Sequence, residues 1–213
     1  MPEHGRYINQ WIKQGYEVKS IEELCIPREE IIYPKKDSPD EEFRILTIKY
    51  SGRCSADEIR MGDEIEYSKM KIVRHGDLVF SEYNAFHGAI GYITEEFDGC
   101  LASGSYIVVR AKELKDSLYL WSILRTTEIR ADLLTTAVGM GRQTINWDNI
   151  KIIQVPLLSP TQRRSIVDKI IHSWEQEKMA VQAVDNIKMD LDNVFGVESN
   201  ESQYRFIASK PPK

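Results

Sequence analysis

Long apolar runs and paired cysteines are both missing from this sequence. No stretch approaches the roughly 18 consecutive apolar residues that predict a membrane-spanning helix. Cys25, Cys54 and Cys100 lie far apart and without CxxC spacing, which indicates reduced thiols rather than disulfides or a metal site. The N-terminal segment contains no apolar signal core. We therefore expect a cytoplasmic protein that makes no membrane contact.

The chain also lacks an excess of basic residues. Its 28 lysines and arginines stand against 33 aspartates and glutamates, which gives a net charge of −5. The balance is −7 over residues 1–100, +2 over residues 101–160 and zero over residues 161–213. Because neutralised phosphates supply much of the affinity for DNA, a protein that binds DNA alone is usually basic. A DNA-binding function therefore requires basic side chains clustered on one face, or phosphate contacts from partner subunits.

Catalytic signatures are missing as well. The sequence has no GxxxxGK[ST] loop of an ATPase, no GxSxG nucleophile motif and no NPPY or FxGxG motif of a methyltransferase. The four histidines are scattered and lack metal-ligand spacing. The acidic residues and lysine within 63–69 loosely resemble a metal-dependent nuclease site, but so charged a stretch favours a solvated loop. We predict a non-catalytic chain that binds no cofactor or metal of its own.

The most informative stretch is a glycine-containing loop, GMGRQTINW, at residues 139–147. Gly139 and Gly141 allow a tight turn or a close approach to a partner's backbone. The next three residues carry a guanidinium, an amide and a hydroxyl, all of which can bind phosphates or base edges: Arg142, Gln143 and Thr144. The loop is therefore a candidate DNA-binding element.

A short apolar strand and a long helix follow this loop. Ser159 can cap the helix, Pro160 suits its first position and Gln162 can complete a capping box. Counting alternately by threes and fours to about residue 195 gives a seam with a period near 3.5, whose apolar members are Val167, Ile170, Trp174, Val181, Val184, Leu191 and Phe195. A helix roughly 50 Å long cannot bury such a seam on one small domain along its whole length. We predict a coiled-coil arm that pairs with another helix; the alternative is a helix that folds back on its own domain.

The residues before the loop predict a mixed domain. Strand composition marks five segments: 44–50, 71–73, 77–81, 89–94 and 101–109. Apolar residues at spacings of three and four predict one helix over 116–136 that covers a face of the sheet. The polar stretch 28–42 is expected to be a loop, and the charged stretch 57–66 partly so. The fold class is therefore α+β: a strand-rich domain with a packed helix, followed by a long C-terminal coiled-coil helix.

Two motifs together resemble one known family. GMGRQTINW, an apolar strand and PLLSPTQRRSIV follow one another over residues 139–167, and GDLVFS with GAIGYI lies upstream over residues 76–93. In this order they resemble the specificity subunit of type I restriction–modification systems, over about residues 18–195. In that family the downstream motif closes a target-recognition domain and begins a helical arm.

The resemblance implies a non-catalytic subunit that selects a DNA sequence. Candidate contacts are side chains that reach base edges or phosphates. They are Arg142, Gln143 and Thr144 of the glycine loop, Tyr83, Asn84 and His87 between two apolar strands, Ser103 and Ser105, and Arg53. For the segment 81–87 the alternative is a polar turn with a buried Phe86.

The resemblance also implies an organisation and a set of partners. We expect a target-recognition domain over residues 1–158, a helical dimerisation or spacer arm over 159–196, and a polar mobile tail over 197–213. Family members usually carry two recognition domains and two arms, whereas this sequence has one of each and no internal repeat. It is therefore a half-length form, or a piece of a longer subunit. A homodimer would restore the two-fold arrangement.

The implied partners are double-stranded DNA, methyltransferase subunits and a restriction subunit. S-adenosylmethionine, ATP and magnesium would then bind to those subunits and not to this chain. The alternative function is a coiled-coil scaffold that no longer binds DNA, which the acidic charge balance favours.

Overall fold

The computed structural model describes residues 7–195, which contain seven α-helices and eleven strands. The helices are α1 (Ile8–Lys13), α2 (Ile21–Leu24), α3 (Pro34–Asp37), α4 (Ser117–Leu124), α5 (Thr127–Thr136), α6 (Trp147–Lys151) and α7 (Pro160–Phe195). The strands are β1 (Glu17–Ser20), β2 (Cys25–Pro27), β3 (Ile31–Ile32), β4 (Glu42–Ile48), β5 (Cys54–Met61), β6 (Met70–Ile72), β7 (Asp77–Ser81), β8 (Ile90–Tyr92), β9 (Leu101–Ala102), β10 (Tyr106–Ala111) and β11 (Gln154–Leu157).

Two β-sheets form the body of the domain. The strand order is β3-β6-β9-β4-β5 in the five-stranded sheet and β2-β10-β7-β8 in the four-stranded sheet. Neighbouring strands pair antiparallel, except β4 and β9, which pair in parallel. Strands β1 and β11 form a separate antiparallel ribbon just before α7.

Apolar side chains from both sheets form the main core. The five-stranded sheet contributes buried residues of β4, β5 and β9, and the four-stranded sheet contributes Val79 of β7 and Val108 of β10. Leu78 and Phe80 point away from Val79 and are also fully buried. Burial on both faces explains why β7 is a continuous apolar run rather than an alternating one.

The prediction of a single helix over residues 116–136 is wrong, because the segment forms two helices, α4 and α5. Helix α4 contacts β7 and β8, and the Trp121 indole N–H donates to the Ile90 carbonyl oxygen at 2.9 Å. The backbone becomes extended at Thr126, with φ −64° and ψ 154°, and α5 begins after it. Threonine is a poor helix former and a preferred N-cap residue, so the chain breaks there.

The strand predictions are confirmed at β4, β6, β7 and β8 and are wrong over 101–109. The charged stretch 57–66 is partly loop, as expected, but its first half is a strand. Residues 57–61 belong to β5, an edge strand whose charged residues Glu58 and Arg60 are exposed, as edge strands require. Segment 101–109 is two strands in different sheets, because the chain turns at residues 103–105. The loop predicted over 28–42 also contains β3 and α3, and α6 has no counterpart among the predicted elements.

Helix α7 begins as the sequence predicts. The backbone N–H of Ser159 donates to Gln162 Oε1 at 3.1 Å, and the Gln162 N–H donates to Ser159 Oγ at 3.4 Å, which confirms the capping box. Arg163 in the first turn pairs with Asp116 at 2.6 Å. Within the described residues the helix extends to Phe195 and contains no buried residue.

The chain forms two compact units, Met1–Arg164 and Ser165–Lys213. The α+β class with a packed helix and a long C-terminal helix is confirmed. The coiled coil and the domain limits at residues 158 and 196 stay predictions, and the predicted tail over 197–213 lies outside the described residues. In the described part of the chain no helix combines the length and apolar character that a membrane span needs.

Candidate nucleic-acid interface

A shallow cleft of about 420 Å³ brings together two segments that lie about 50 residues apart in the sequence. One wall is the turn after β7, and the other is the glycine loop at residues 139–143. Each wall carries candidate DNA contacts, and the sequence marks the two sets by different motifs. Five of those side chains therefore share one surface: Tyr83, Asn84, His87, Arg142 and Gln143.

The turn after β7 is shaped by a short 3-10 helix, Ala85–His87, and by Gly88. Gly88 has a φ of +110°, and a side chain there would collide with the carbonyl oxygen of Tyr50. Helix α5 packs against this turn. Phe86 is partly buried and lines the cleft, so both the polar turn and the DNA contact stay open for this segment.

The glycine loop is a narrow hairpin. Val138 and Thr144 exchange two backbone hydrogen bonds of 2.9 Å, and Gly139 adopts a φ of +122°. Behind the hairpin, the Asn149 side-chain amide in α6 donates to the Thr136 carbonyl at the end of α5, at 2.6 Å. The loop is therefore anchored at both ends, while Arg142 and Gln143 remain exposed.

The backbone of Glu82 links the candidate segments. Its N–H donates to the Ser105 carbonyl at 2.9 Å, and its carbonyl accepts from the Ile145 N–H at 3.0 Å. The turn after β7, residues 103–105 and the glycine loop thus meet at one residue. The hydroxyls of Ser103 and Ser105 bond to each other at 2.8 Å.

A cation–π contact fixes the direction of Arg142. Its guanidinium carbon lies 3.8 Å from the centroid of the Tyr83 ring. A guanidinium that stacks on a ring keeps its N–H donors available at its edges. Beside this pair, the His87 ring makes edge contacts with Phe86 at 4.7 Å and Tyr50 at 6.2 Å. The cleft thus presents stacking surfaces and hydrogen-bond donors together.

Four predicted residues lie outside the cleft walls: Ser103, Ser105, Thr144 and Arg53. The Thr144 hydroxyl donates to the Val138 carbonyl at 3.4 Å and is occupied within the hairpin. Arg53 lies in the turn between β4 and β5, where burial lowers the pKa of its guanidinium. Its charge acts on Arg125, so Arg53 belongs to a group of arginines beside the cleft.

Three residues of this surface were not among the predicted contacts. Met140 lies at the hairpin tip and is fully exposed. Arg125 lies between α4 and α5, next to the turn that contains Gly52. Arg130 lies on α5, next to the turn that contains Gly88. The available signal was two arginines five residues apart in the helical segment 117–136.

The predicted dimer seam on α7 is accessible. Val167, Ile170 and Trp174 are half-buried. The other members range from 48% exposed at Leu191 to 71% at Phe195, and include Val181 and Val184. These apolar side chains are available to a partner helix, and the dimer interface stays a prediction.

The described residues offer little that could act as a nucleophile or a metal site. Burial raises the pKa of the Cys25 and Cys54 thiols to about 12, which keeps both protonated at neutral pH. Over residues 7–195 no group of three histidine, cysteine, aspartate or glutamate side chains is arranged to hold a metal ion. The side chains of the cleft suit binding.

The Gly139→Ala substitution is expected to lower the free energy of unfolding by about 1–2 kcal/mol. A methyl group at Gly139 would collide with the Arg142 carbonyl oxygen, and a φ of +122° disfavours alanine. Urea unfolding would measure the change. Gly104→Ala is the control, because a methyl group there meets nothing within 4 Å. Equal losses in the two variants would contradict the hairpin geometry.

Comparison with known proteins gives a likeness of fold. No protein-family model and no curated protein sequence matches the chain. The HsdS subunit from Thermoanaerobacter tengcongensis matches with a TM-score of 0.59 at 19% identity, over 84% of this chain and 47% of that chain. A structure from work on complex assembly and conformational transition of the type I R-M system matches with a TM-score of 0.62 at 20% identity, over 84% and 47%.

A third solved structure, the type I restriction–modification S subunit from M. genitalium, matches with a TM-score of 0.51 at 13% identity, over 84% of this chain and 44% of that one. Identities this low establish the fold alone. At that level the resemblance inferred from the sequence is confirmed. The chain spans about half the length of the structures it matches.

Proposed function

We propose that this chain is the DNA sequence-specificity subunit of a type I restriction–modification complex, in a half-length form with one target-recognition domain. The observation that carries the proposal is the cleft, where two distant segments place a cation, amides and aromatic rings on one surface. The likeness of fold to specificity subunits supports it. In this role the chain selects the site and does no chemistry.

The side chains of the cleft match the chemistry of base recognition. An arginine binds guanine through two donors, and asparagine or glutamine binds adenine in the same way. Arg142, Gln143 and Asn84 supply these groups from opposite walls. Tyr83 holds Arg142 in place, and His87 can donate to a base or a phosphate. Residues 103–105 support the turn from behind through Glu82.

A homodimer would give the complex its second recognition domain. Two copies related by a two-fold axis would supply the length that the matched structures contain in one chain. The exposed apolar seam of α7 is the surface that would join them. The two domains would then contact a split palindrome whose spacer length follows from the arms.

The remaining partners follow from the same proposal. Methyltransferase subunits, which carry S-adenosylmethionine, and a restriction subunit, which uses ATP and magnesium, would assemble with the dimer on double-stranded DNA in the cytoplasm. Those partners would add phosphate contacts to the ones that a chain with a net charge of −5 can make itself.

Selection from random-sequence duplex DNA tests this function. The full chain, mixed with the methyltransferase subunit of its own system, is expected to enrich two inverted half-sites at a fixed separation. The two-fold arrangement requires that symmetry. Enrichment of a single asymmetric half-site, or no enrichment, would contradict the proposal.

Replacing Arg142 by alanine is expected to lower the preference for one base in each half-site by about 1–3 kcal/mol, which is roughly 5- to 150-fold. The loss falls on one position because the guanidinium contacts one base pair. Selection with the variant complex measures it. Arg110→Ala is the matched control, since Arg110 is exposed at the end of β10 away from the cleft. Unchanged base preferences in Arg142→Ala would remove Arg142 from the recognition surface.

The second candidate is a coiled-coil scaffold that does not bind DNA. The net charge of −5 and the exposed seam of α7 favour it. Against it stand three arginines gathered at or beside the cleft, namely Arg125, Arg130 and Arg142. A basic surface at this place is expected of a DNA-binding face within an acidic chain.

A further inference from the structure

Two arginines beside the cleft have no carboxylate partner in the part of the chain that the structure describes. Within residues 7–195, neither Arg125 nor Arg130 forms an ion pair, and the Nε atom of each is buried without a hydrogen-bond acceptor. Arg163 also has a buried Nε without an acceptor, but its Nη1 pairs with Asp116, and Arg28 pairs with Asp77. The missing ion pair therefore distinguishes Arg125 and Arg130. A half-buried cation that has no partner costs free energy of folding. An anion from outside the chain would offset that cost.

Arg125 is held by its surroundings. It ends α4, and its guanidinium carbon lies 4.7 Å from the centroid of the Trp121 ring. A side chain at Gly52 would displace the same guanidinium, because a methyl group there would collide with Arg125 Nε. The Trp121 ring is fixed in turn by its hydrogen bond to Ile90. The guanidinium therefore has one defined position before any ligand binds.

Arg130 lies beside the turn that forms one wall of the cleft. A methyl group on Gly88 would lie 3.1 Å from Arg130 Nη1, which places the guanidinium beside the turn that ends with His87. The carbonyl oxygen of Tyr50 borders the same glycine. The Tyr50 ring in turn contacts His87, which lines the cleft. The arginines and the cleft thus form one continuous surface.

The electrostatics of this surface favour an anion. Burial lowers the pKa of Arg125, and the positive charges of Arg130 and Arg53 lower it further. Like charges at short range repel one another, and the repulsion is stronger where water is partly excluded. A phosphate would accept hydrogen bonds from these guanidinium groups and offset the repulsion.

We propose that Arg125 and Arg130 bind the phosphate backbone of duplex DNA next to the bases that the cleft contacts. This inference rests on the proposed function and adds the contacts that set the position of the domain on the duplex. Phosphate contacts fix the register of a protein on DNA, and base contacts provide its specificity. The pair also supplies local positive charge in a chain whose net charge is −5.

The experiment measures affinity for a random-sequence duplex as a function of salt, with the full chain in complex with its methyltransferase subunit. The double variant Arg125→Gln with Arg130→Gln is expected to reduce the slope of log K against log salt by about 0.9 for each lost phosphate contact, so by nearly two in total. Its affinity at low salt is expected to fall by about tenfold for each arginine. The ratio of affinities for the selected site and the random duplex is expected to stay unchanged.

Three further variants control for charge, side-chain geometry and folding. Arg110→Gln removes one positive charge from the far end of β10 and is expected to keep the wild-type slope. Arg125→Lys with Arg130→Lys keeps both charges and is expected to keep most of the slope, while it loses the fork geometry of arginine. If loss of the Arg125 contact with Trp121 prevents the double variant from folding, the single variant Arg130→Gln takes its place.

The outcomes separate this inference from the proposed function. A wild-type slope in the double glutamine variant overturns the phosphate contact and leaves DNA recognition by the cleft standing. A changed specificity ratio assigns the arginines to base recognition and also overturns it. No duplex binding by the wild-type complex removes both proposals. Tight binding of inorganic phosphate alone would assign the site to a free anion instead of DNA.

Discussion

The full chain is expected to have a mass of about 49 kDa by light scattering, twice the 24.6 kDa of a single chain. The reason is the seam of α7, where Val181, Val184 and Leu191 are about half exposed on a helix of 36 residues that contains no buried side chain. Apolar residues repeated at this period pair with a second helix. A second copy of the same helix provides a matching seam.

Aspartates in the seam are expected to dissociate this dimer. Val184→Asp with Leu191→Asp would place two charges in an apolar interface and weaken association by about a thousandfold or more, which leaves a species of 24.6 kDa. The matched control is Met179→Asp with Asn186→Asp, which puts aspartates on the opposite face of the helix. Light scattering, alone and with the methyltransferase subunit, measures both.

The control variant should remain a dimer that takes up methyltransferase. If the wild-type chain alone is a monomer, the seam has another partner or folds back on its own domain. If the control and the seam variant dissociate equally, the effect comes from charge on the helix and not from the seam.

The second large effect is expected at Asp77, where Asp77→Ala should lower the free energy of unfolding by about 3–5 kcal/mol. The Asp77 carboxylate is fully buried and accepts from Arg28 at 2.6 and 2.9 Å and from the Arg74 backbone N–H at 2.8 Å. Burial raises the pKa of Asp77, and the contacts with Arg28 and Arg74 oppose that rise. The alanine variant would leave Arg28 without its main partner in a site that water reaches poorly.

A surface pair provides the control for this prediction. Glu58 and Arg60 lie on the edge strand β5 and are each about half exposed. Glu58→Ala is expected to cost less than about 1 kcal/mol, because exposed ion pairs contribute little. Urea unfolding of both variants measures the contrast. A loss below about 1 kcal/mol in Asp77→Ala would show that Arg28 finds another partner, of which Glu30 at 3.5 Å is the nearest.

The cleft could be anticipated from the sequence because its chemistry is local. Paired glycines, a planar cation and an amide mark residues 139–143 as a ligand-binding loop wherever the loop lies. Polar and aromatic residues between two apolar strands mark residues 83–87 in the same way. What the sequence did not supply was the backbone of Glu82, which joins the two segments through hydrogen bonds that involve no side chain.

The elements that were missed depend on tertiary contacts. Strand β5 is charged because it lies at the edge of a sheet, and a charged sequence by itself suggests a loop. The break between α4 and α5 depends on one threonine whose backbone turns extended. The place of Arg125 and Arg130 beside the cleft depends on their contacts with the turns at Gly52 and Gly88, which are distant in the sequence.

The exposed hairpin has a consequence for how this protein changes over generations. Met140, Arg142 and Gln143 are exposed and lie outside the apolar core between the sheets, whereas every residue of β7 is buried. Substitutions at exposed positions usually alter stability by less than about 0.5 kcal/mol, while those in a packed strand cost several times more. New side chains can therefore be tried at the hairpin tip without loss of the fold. Under the proposed function, a lineage would acquire a new target in this way while its scaffold stays constant.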